Sequence, residues 1–234
     1  MLLYCCKHLT TLWLFTYYIL RVWVLRELLL YIYIYNLKLN TKKSLEMIVC
    51  RAHTKLIPPP THPYMVRVPS LNILGVTIRQ DLQMGKHVDN LIISAAQNIF
   101  ALKVLKAHGA KPEMLQAVCF ATLINRLLYA APAWRGFATS GDFLRIDAVV
   151  RRAKRWGVCD KNLPDINSLL DKREQIMFGA ILDNPNHVLF NLLPPNRNFP
   201  YSLRPRFHNR TLPTKTSLSI KNFLNRLLYS SLSL

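Results

Sequence analysis

The segment DFLRIDAVVRRAKRW, residues 142–156, sets Arg145, Arg151, Arg152, Lys154 and Arg155 among apolar residues at helical spacing. At 3.6 residues per turn, Phe143, Ile146, Val149, Val150, Ala153 and Trp156 fall on one arc. The five cations occupy the other arc, diluted only by Asp147. Cations along one helix face can hold the phosphates of a nucleic-acid backbone, a contact that positions without reading bases. A solvated helix surface carries the same pattern, and the two readings stand side by side at this point.

Other chemistry finds little support. The cysteines Cys5, Cys6, Cys50, Cys119 and Cys159 form no C-x-x-C pair and no Cys/His set at metal-ligand spacing, so they read as reduced thiols without zinc. His187 has no Cys, His or carboxylate cluster beside it and reads as a hydrogen-bonding loop histidine. There is no G-x-S-x-G, G-x-G-x-x-G or P-loop, and seven glycines leave little material for a phosphate-cradling loop. The triplet Asn209-Arg210-Thr211 fits a glycosylation acceptor, which matters only in a secreted chain.

The cationic helix belongs to a chain that is basic as a whole, with 31 Lys and Arg against 12 Asp and Glu in 234 residues. A polyanion is therefore the first partner to consider. The excess lies at the two ends: residues 81–183 are nearly balanced, whereas residues 184–234 contain no carboxylate. Near the start, Leu9–Leu20 is uncharged and apolar, but Arg21, Arg26 and Glu27 interrupt the run before it reaches the ~20 residues of a spanning helix. Leu20-Arg21-Val22-Trp23 offers no small-residue cleavage site. Residues 9–35 keep a membrane anchor open as the alternative reading.

The elements that must position these groups follow from spacing and punctuation. LEMIVC after a polar turn reads as a buried strand, and Pro58-Pro59-Pro60 forbids helix beyond it. LNILGVTI, residues 71–78, reads as one short β element with Gly75 at a bulge or close approach. A first helix carries Val88, Leu91, Ile92, Ala95, Ile99, Leu102 and Leu105 on one face and stops at Gly109. Pro112 opens a second helix that should end near Ala131-Pro132. Ser140 is placed to cap a third over 141–156, with Asp142 in its first turn. A fourth, amphipathic and mixed in charge, is expected over 166–182, and NFLNRLLYSSL supplies a last short one. The predicted class is α+β, mainly α: a small β element, a helical bundle and an irregular basic tail.

In this order, the chain from Asn36 resembles the carboxy-terminal part of the reverse transcriptases of non-LTR retrotransposons, the jockey-like group in particular. NLKLNTKKSLEMIV looks like the palm segment of a Leu-x-Leu-Asn turn before Lys-Thr and a strand, with Lys43-Ser44 in place of Lys-Thr. LNILGVTIRQDLQMGKHVDNL looks like the Leu-Gly-Val strand that leads into the thumb, with Met84 where the family usually has Trp and His87-Val88 for its His-Ile pair. LINRLLYAAPAW looks like the family's Leu-x-Tyr-Gly-x-x-x-Trp segment, Ala130 replacing the glycine between Tyr129 and Trp134. DNPNHVLFNLLPPNRNFPYSLRPR is similar to the run after the thumb.

Residues 1–35 form an apolar segment outside the resemblance, which implies a palm edge over 36–80, a helical thumb-like domain over 81–160, and a helix and basic tail over 161–234. It implies nuclear or cytoplasmic residence and a thumb that grips a template-primer duplex, RNA–DNA or DNA, by its backbone. The contacts it assigns are Lys103, Lys106, Arg145, Arg151, Arg152, Lys154 and Arg155, followed by Arg204, Arg206 and Arg210. An intact family enzyme uses magnesium held by a Tyr/Phe-x-Asp-Asp turn. This sequence has no Asp-Asp pair and no Asp before Asp81, so it is expected to hold no metal, to need no cofactor and not to copy nucleic acid.

Overall fold

In a computed structural model the chain divides into two units, Met1–Gln83 and Met84–Leu234. The structure describes residues 2–5, 40, 43–49, 65–196 and 208–230. The apolar segment over 9–35, the triplet Pro58–Pro60, Arg204 and Arg206 lie outside the described residues.

In the first unit, Asn40 turns the chain: its Oδ1 accepts the Lys43 N–H at 3.2 Å and its carbonyl accepts the Ser44 hydroxyl at 2.8 Å. The β-rich run that follows forms strand β2 (Leu45–Val49), paired in parallel with β1 (Leu2–Cys5) on one side and β3 (Val66–Arg67) on the other. Val66–Arg67 thus places the Arg67 guanidinium 3.2 Å from the buried Glu46 carboxylate. The stretch expected as one short β element, with Gly75 at a bulge or close approach, is a hairpin of β4 (Ser70–Ile73) and β5 (Val76–Arg79), with Ile73 opposite Val76. Leu74 and Gly75 form its two-residue turn with φ of 47° and 86°, the left-handed pair that matches strand twist. Met47, Val49 and Leu71 make the core of this unit.

The second unit is helical. Helix α1 (Gly85–Ala107) buries Val88, Leu91, Ala95, Ile99 and Leu102, and the chain leaves it through Gly109 at φ +83°. Pro112 starts α2 (Pro112–Cys119), which passes through a π turn at Phe120–Ile124 into α3 (Asn125–Leu128). A π turn loosens the backbone ladder, and side chains take up its groups: the Thr122 hydroxyl donates to the Val118 carbonyl at 2.7 Å, and the Asn98 amide donates to the Thr122 carbonyl at 3.1 Å. The helix ends at Leu128, three residues before Ala131, because Tyr129 is extended and Ala130 is left-handed at φ +50°. Short α4 (Ala131–Trp134) and a 3₁₀ turn (Arg135–Phe137) follow.

Helix α5 (Ser140–Arg155) is capped by Thr139 rather than by Ser140. Thr139 stands three residues before Asp142, so hydroxyl and carboxylate close a reciprocal capping box, worth about 1 kcal/mol. Helix α6 (Ile166–Asp183) starts at a cap made by Asp165, and α7 (Phe223–Ser230) ends the described chain. Among the described residues the molecule is therefore α+β and mainly α.

Trp134 is fully buried at the centre of the bundle. It meets His87 of α1 edge-on at 5.5 Å and stacks on Phe143 of α5 at 6.4 Å, and its indole N–H donates to the Tyr129 carbonyl at 2.9 Å. A second cluster, Phe178, Ile181, Leu193, Phe223, Leu224, Leu227 and Leu228, packs α7 onto α6. The approach of this last segment is close: a Cβ on Gly136 would overlap the Lys221 carbonyl.

Candidate nucleic-acid interface

One ion pair and one cation–π contact, at opposite ends of α5, fix its direction against α1. Arg145, near the start of α5, pairs with Asp89, near the start of α1. Lys103, near the end of α1, places its ammonium 3.3 Å above the ring of Trp156, which ends α5. The two helices therefore run the same way, and their C-termini lie together. Side-by-side C-termini carry about half a negative elementary charge each, and a cation in each last turn offsets this by ~0.3–1 kcal/mol.

That electrostatic demand decides the fate of several cations assigned to phosphate contact. Lys106 donates to the Trp156 carbonyl at 2.8 Å, and Lys154 donates to the Leu163 carbonyl. Arg145 is neutralised by Asp89 and lies 3.6 Å from Asp142, and Arg151 pairs with Asp147 at 2.8 Å, four residues before it on the same helix. Arg152 and Arg155 remain exposed and form no ion pair among the described residues. Spaced three apart, they neighbour one another on the surface of α5, and Arg152 lies one turn before Trp156 on the ridge beside α1. The structure thus brings Lys103, Lys106, Arg152, Lys154 and Arg155 to one end of the α1–α5 pair. Trp156, expected on the packing arc, is 46% exposed and roofed by Lys103 instead.

The tail cations have other work. Arg210 donates to the Pro194 carbonyl at 3.0 Å and lies 5.0 Å over the ring of Phe190. Lys215 sits 4.4 Å over the Tyr229 ring. His208, buried, joins the Leu228 carbonyl through Nε2 at 2.9 Å and accepts the Arg210 N–H at Nδ1. His187 behaves as expected, its Nδ1 accepting the Leu189 N–H at 3.1 Å.

A buried carboxylate that sequence reasoning passed over organises this region. Glu174 of α6, fully buried, accepts both guanidinium nitrogens of Arg226 at 2.6 and 2.7 Å and one of Arg135 at 2.8 Å. Arg135 also pairs with Asp171 at 2.6 Å. Three segments distant in sequence meet at this one side chain.

Cys119 and Cys159 are buried free thiols set against one another. Hydrogen bonding to the Cys119 thiol, helped by the Lys154 charge and opposed by burial, brings the Cys159 thiol down to about 7, while Cys119 is pushed up by the same neighbour. His87, packed on Trp134, is held below the ordinary histidine value by desolvation. Among the described residues no group of three His, Cys, Asp or Glu side chains could hold a metal ion.

Two helical stretches, Gly85–Ala107 and Pro112–Phe137, are long and apolar enough to cross a membrane by length and composition. The second is broken at Tyr129 and Ala130 by extended and left-handed backbone. The anchor expected over residues 9–35 lies outside the described residues. No family model, no curated protein and no solved structure matches the chain.

Proposed function

We propose that the helical unit is a thumb-like module of the reverse transcriptase type that grips the backbone of a nucleic-acid duplex with the paired ends of α1 and α5, in a chain lacking the aspartates needed to copy it. The observation that carries this reading is the gathering of Lys103, Lys106, Arg152, Lys154 and Arg155 at that end, with Arg152 and Arg155 exposed and free of carboxylates among the described residues. Two details fit the family pattern. Ala130, which stands where the family has glycine, holds the left-handed backbone that favours glycine, and Trp134 is the buried residue that this turn delivers to the core.

The mechanism is electrostatic. Lys103, Lys106 and Lys154 are already committed to Trp156 and Leu163 and supply field, whereas Arg152 and Arg155 can each take a phosphate through two parallel N–H donors. Binding should be independent of sequence and weaken steeply with salt, because each neutralised phosphate releases counterions. The test is duplex binding by the full chain, followed by fluorescence anisotropy between about 50 and 200 mM salt. The doubly substituted R152A/R155A chain should bind more weakly and flatten the logarithmic salt slope by about 2. A slope unchanged by that substitution, or affinity insensitive to salt in the native chain, refutes the reading.

A further inference from the structure

Helix α1 turns one apolar stripe outward. Ile93 is 59% exposed, Phe100 68% and Val104 41%, at spacings of seven and four that keep all three on one face. The opposite face of the helix is the one buried in the bundle, through Val88, Leu91, Ala95, Ile99 and Leu102. Phe100 lies one turn before Lys103, whose ammonium rests on Trp156, and Trp156 lies one turn after Arg152. The exposed aromatic rings Phe100 and Trp156 therefore alternate with the cations Lys103, Arg152 and Arg155 over adjacent turns of two helices.

A duplex has no use for the rings, since its base faces are stacked inside. An unpaired strand does: its bases offer flat apolar faces at the spacing of a helical turn, and its phosphates stay within reach of neighbouring cations. The charge of the patch selects an anionic occupant and its exposed rings select one with accessible π faces. We infer that this stripe is a binding track for single-stranded nucleic acid, with an unpaired base stacked on Phe100 and adjoining phosphates held by Arg152 and Arg155. The inference rests on the nucleic-acid reading above and adds to it: the two arginines that hold a duplex backbone also take an unpaired strand, for which the rings give a second hold.

Phe100 is a clean probe because an exposed side chain can be truncated with little effect on folding. The experiment measures binding of the full chain and its F100A and F100Y variants to a labelled oligothymidylate and to a duplex of the same length at one salt concentration. Losing one base stack should weaken single-strand binding about tenfold in F100A, with F100Y close to the native chain and duplex binding unchanged. Equal loss on both probes, or no loss on either, overturns the inference and leaves duplex binding standing. Two other occupants would also overturn it: a second copy of the chain, seen as a dimer that F100A dissolves, or anionic lipid, seen as vesicle binding that F100A abolishes. If the native chain binds neither probe, the nucleic-acid reading itself fails.

Discussion

Replacing Glu174 by Gln removes one charge at constant shape and tests what holds α7 to the bundle. In the native protein that carboxylate is buried and serves two guanidinium groups at 2.6 to 2.8 Å. Arg135 keeps Asp171 after the substitution, but Arg226, whose side chain is only 25% exposed, loses one of the two oxygens of its bidentate partner together with the negative charge. Breaking a buried pair by removing one partner costs about 3–5 kcal/mol, and the remaining amide oxygen places this case near the lower end, ~3 kcal/mol. For a unit of this size that corresponds to a drop of roughly 6–12 °C in Tm. The loss should be uneven. Amide exchange over residues 223–230 should accelerate most, while the amides of α1 and α5 follow only the global change. Replacing Arg226 as well, in E174Q/R226M, should recover much of the loss, since no unpaired guanidinium is then left buried against α6. A loss under about 1 kcal/mol with exchange in α7 unchanged would show that the apolar cluster around Phe178 and Leu228 holds the segment without the ion pairs.

Other consequences are equally direct. Ala130→Gly relieves a left-handed alanine, a conformation costing ~1–2 kcal/mol, against the entropy of a new glycine, so urea denaturation should show a net gain of about 0.5–1 kcal/mol; a loss would contradict the backbone assignment. Burial holds His87 below the ordinary value of ~6.5, so the unfolded chain takes up a proton that the folded one refuses; stability should fall as pH drops through ~6.5 toward the native value, and His87→Phe should remove that share of the acid sensitivity. One thiolate should appear at about pH 7 in ultraviolet absorbance, and Cys119→Val should move that midpoint up toward the ordinary thiol range; an unmoved midpoint would separate the two residues.

Helices were the legible part of this sequence because their signals are local. The apolar spacing in α1, Pro112 at the start of α2 and Gly109 after α1 each act within a turn or two of the residue that carries them. The β character of LNILGVTI is legible but its hairpin turn is not, because the turn is Leu74-Gly75: leucine is a poor signal for left-handed backbone, where Asn-Gly or Asp-Gly would announce it. Thr139 and Ser140 are both capping residues, and the choice between them lay in the distance to Asp142. The cationic arc of α5 was visible, but its use was not. Lys106 and Lys154 answer backbone carbonyls of Trp156 and Leu163, and Arg145 answers Asp89 fifty-six residues away. Glu174 stayed hidden for the same reason, since its partners stand 39 and 52 positions off in the chain.

The π turn at Phe120–Ile124 has a consequence for how chain length can vary here. It is equivalent to one extra residue in an otherwise regular helix, and it resets the rotation between Leu115 and Cys119 before it and Leu123, Ile124, Leu127 and Leu128 after it, so that all six reach the same core. Deleting one residue of that turn would restore a regular ladder with both apolar sets still on one face, whereas regularising the turn at unchanged length would swing the preceding half through about 100° and bring Leu115 and Cys119 toward solvent. The chain can therefore lose one residue here and keep its core, a tolerance that a regular helix does not have.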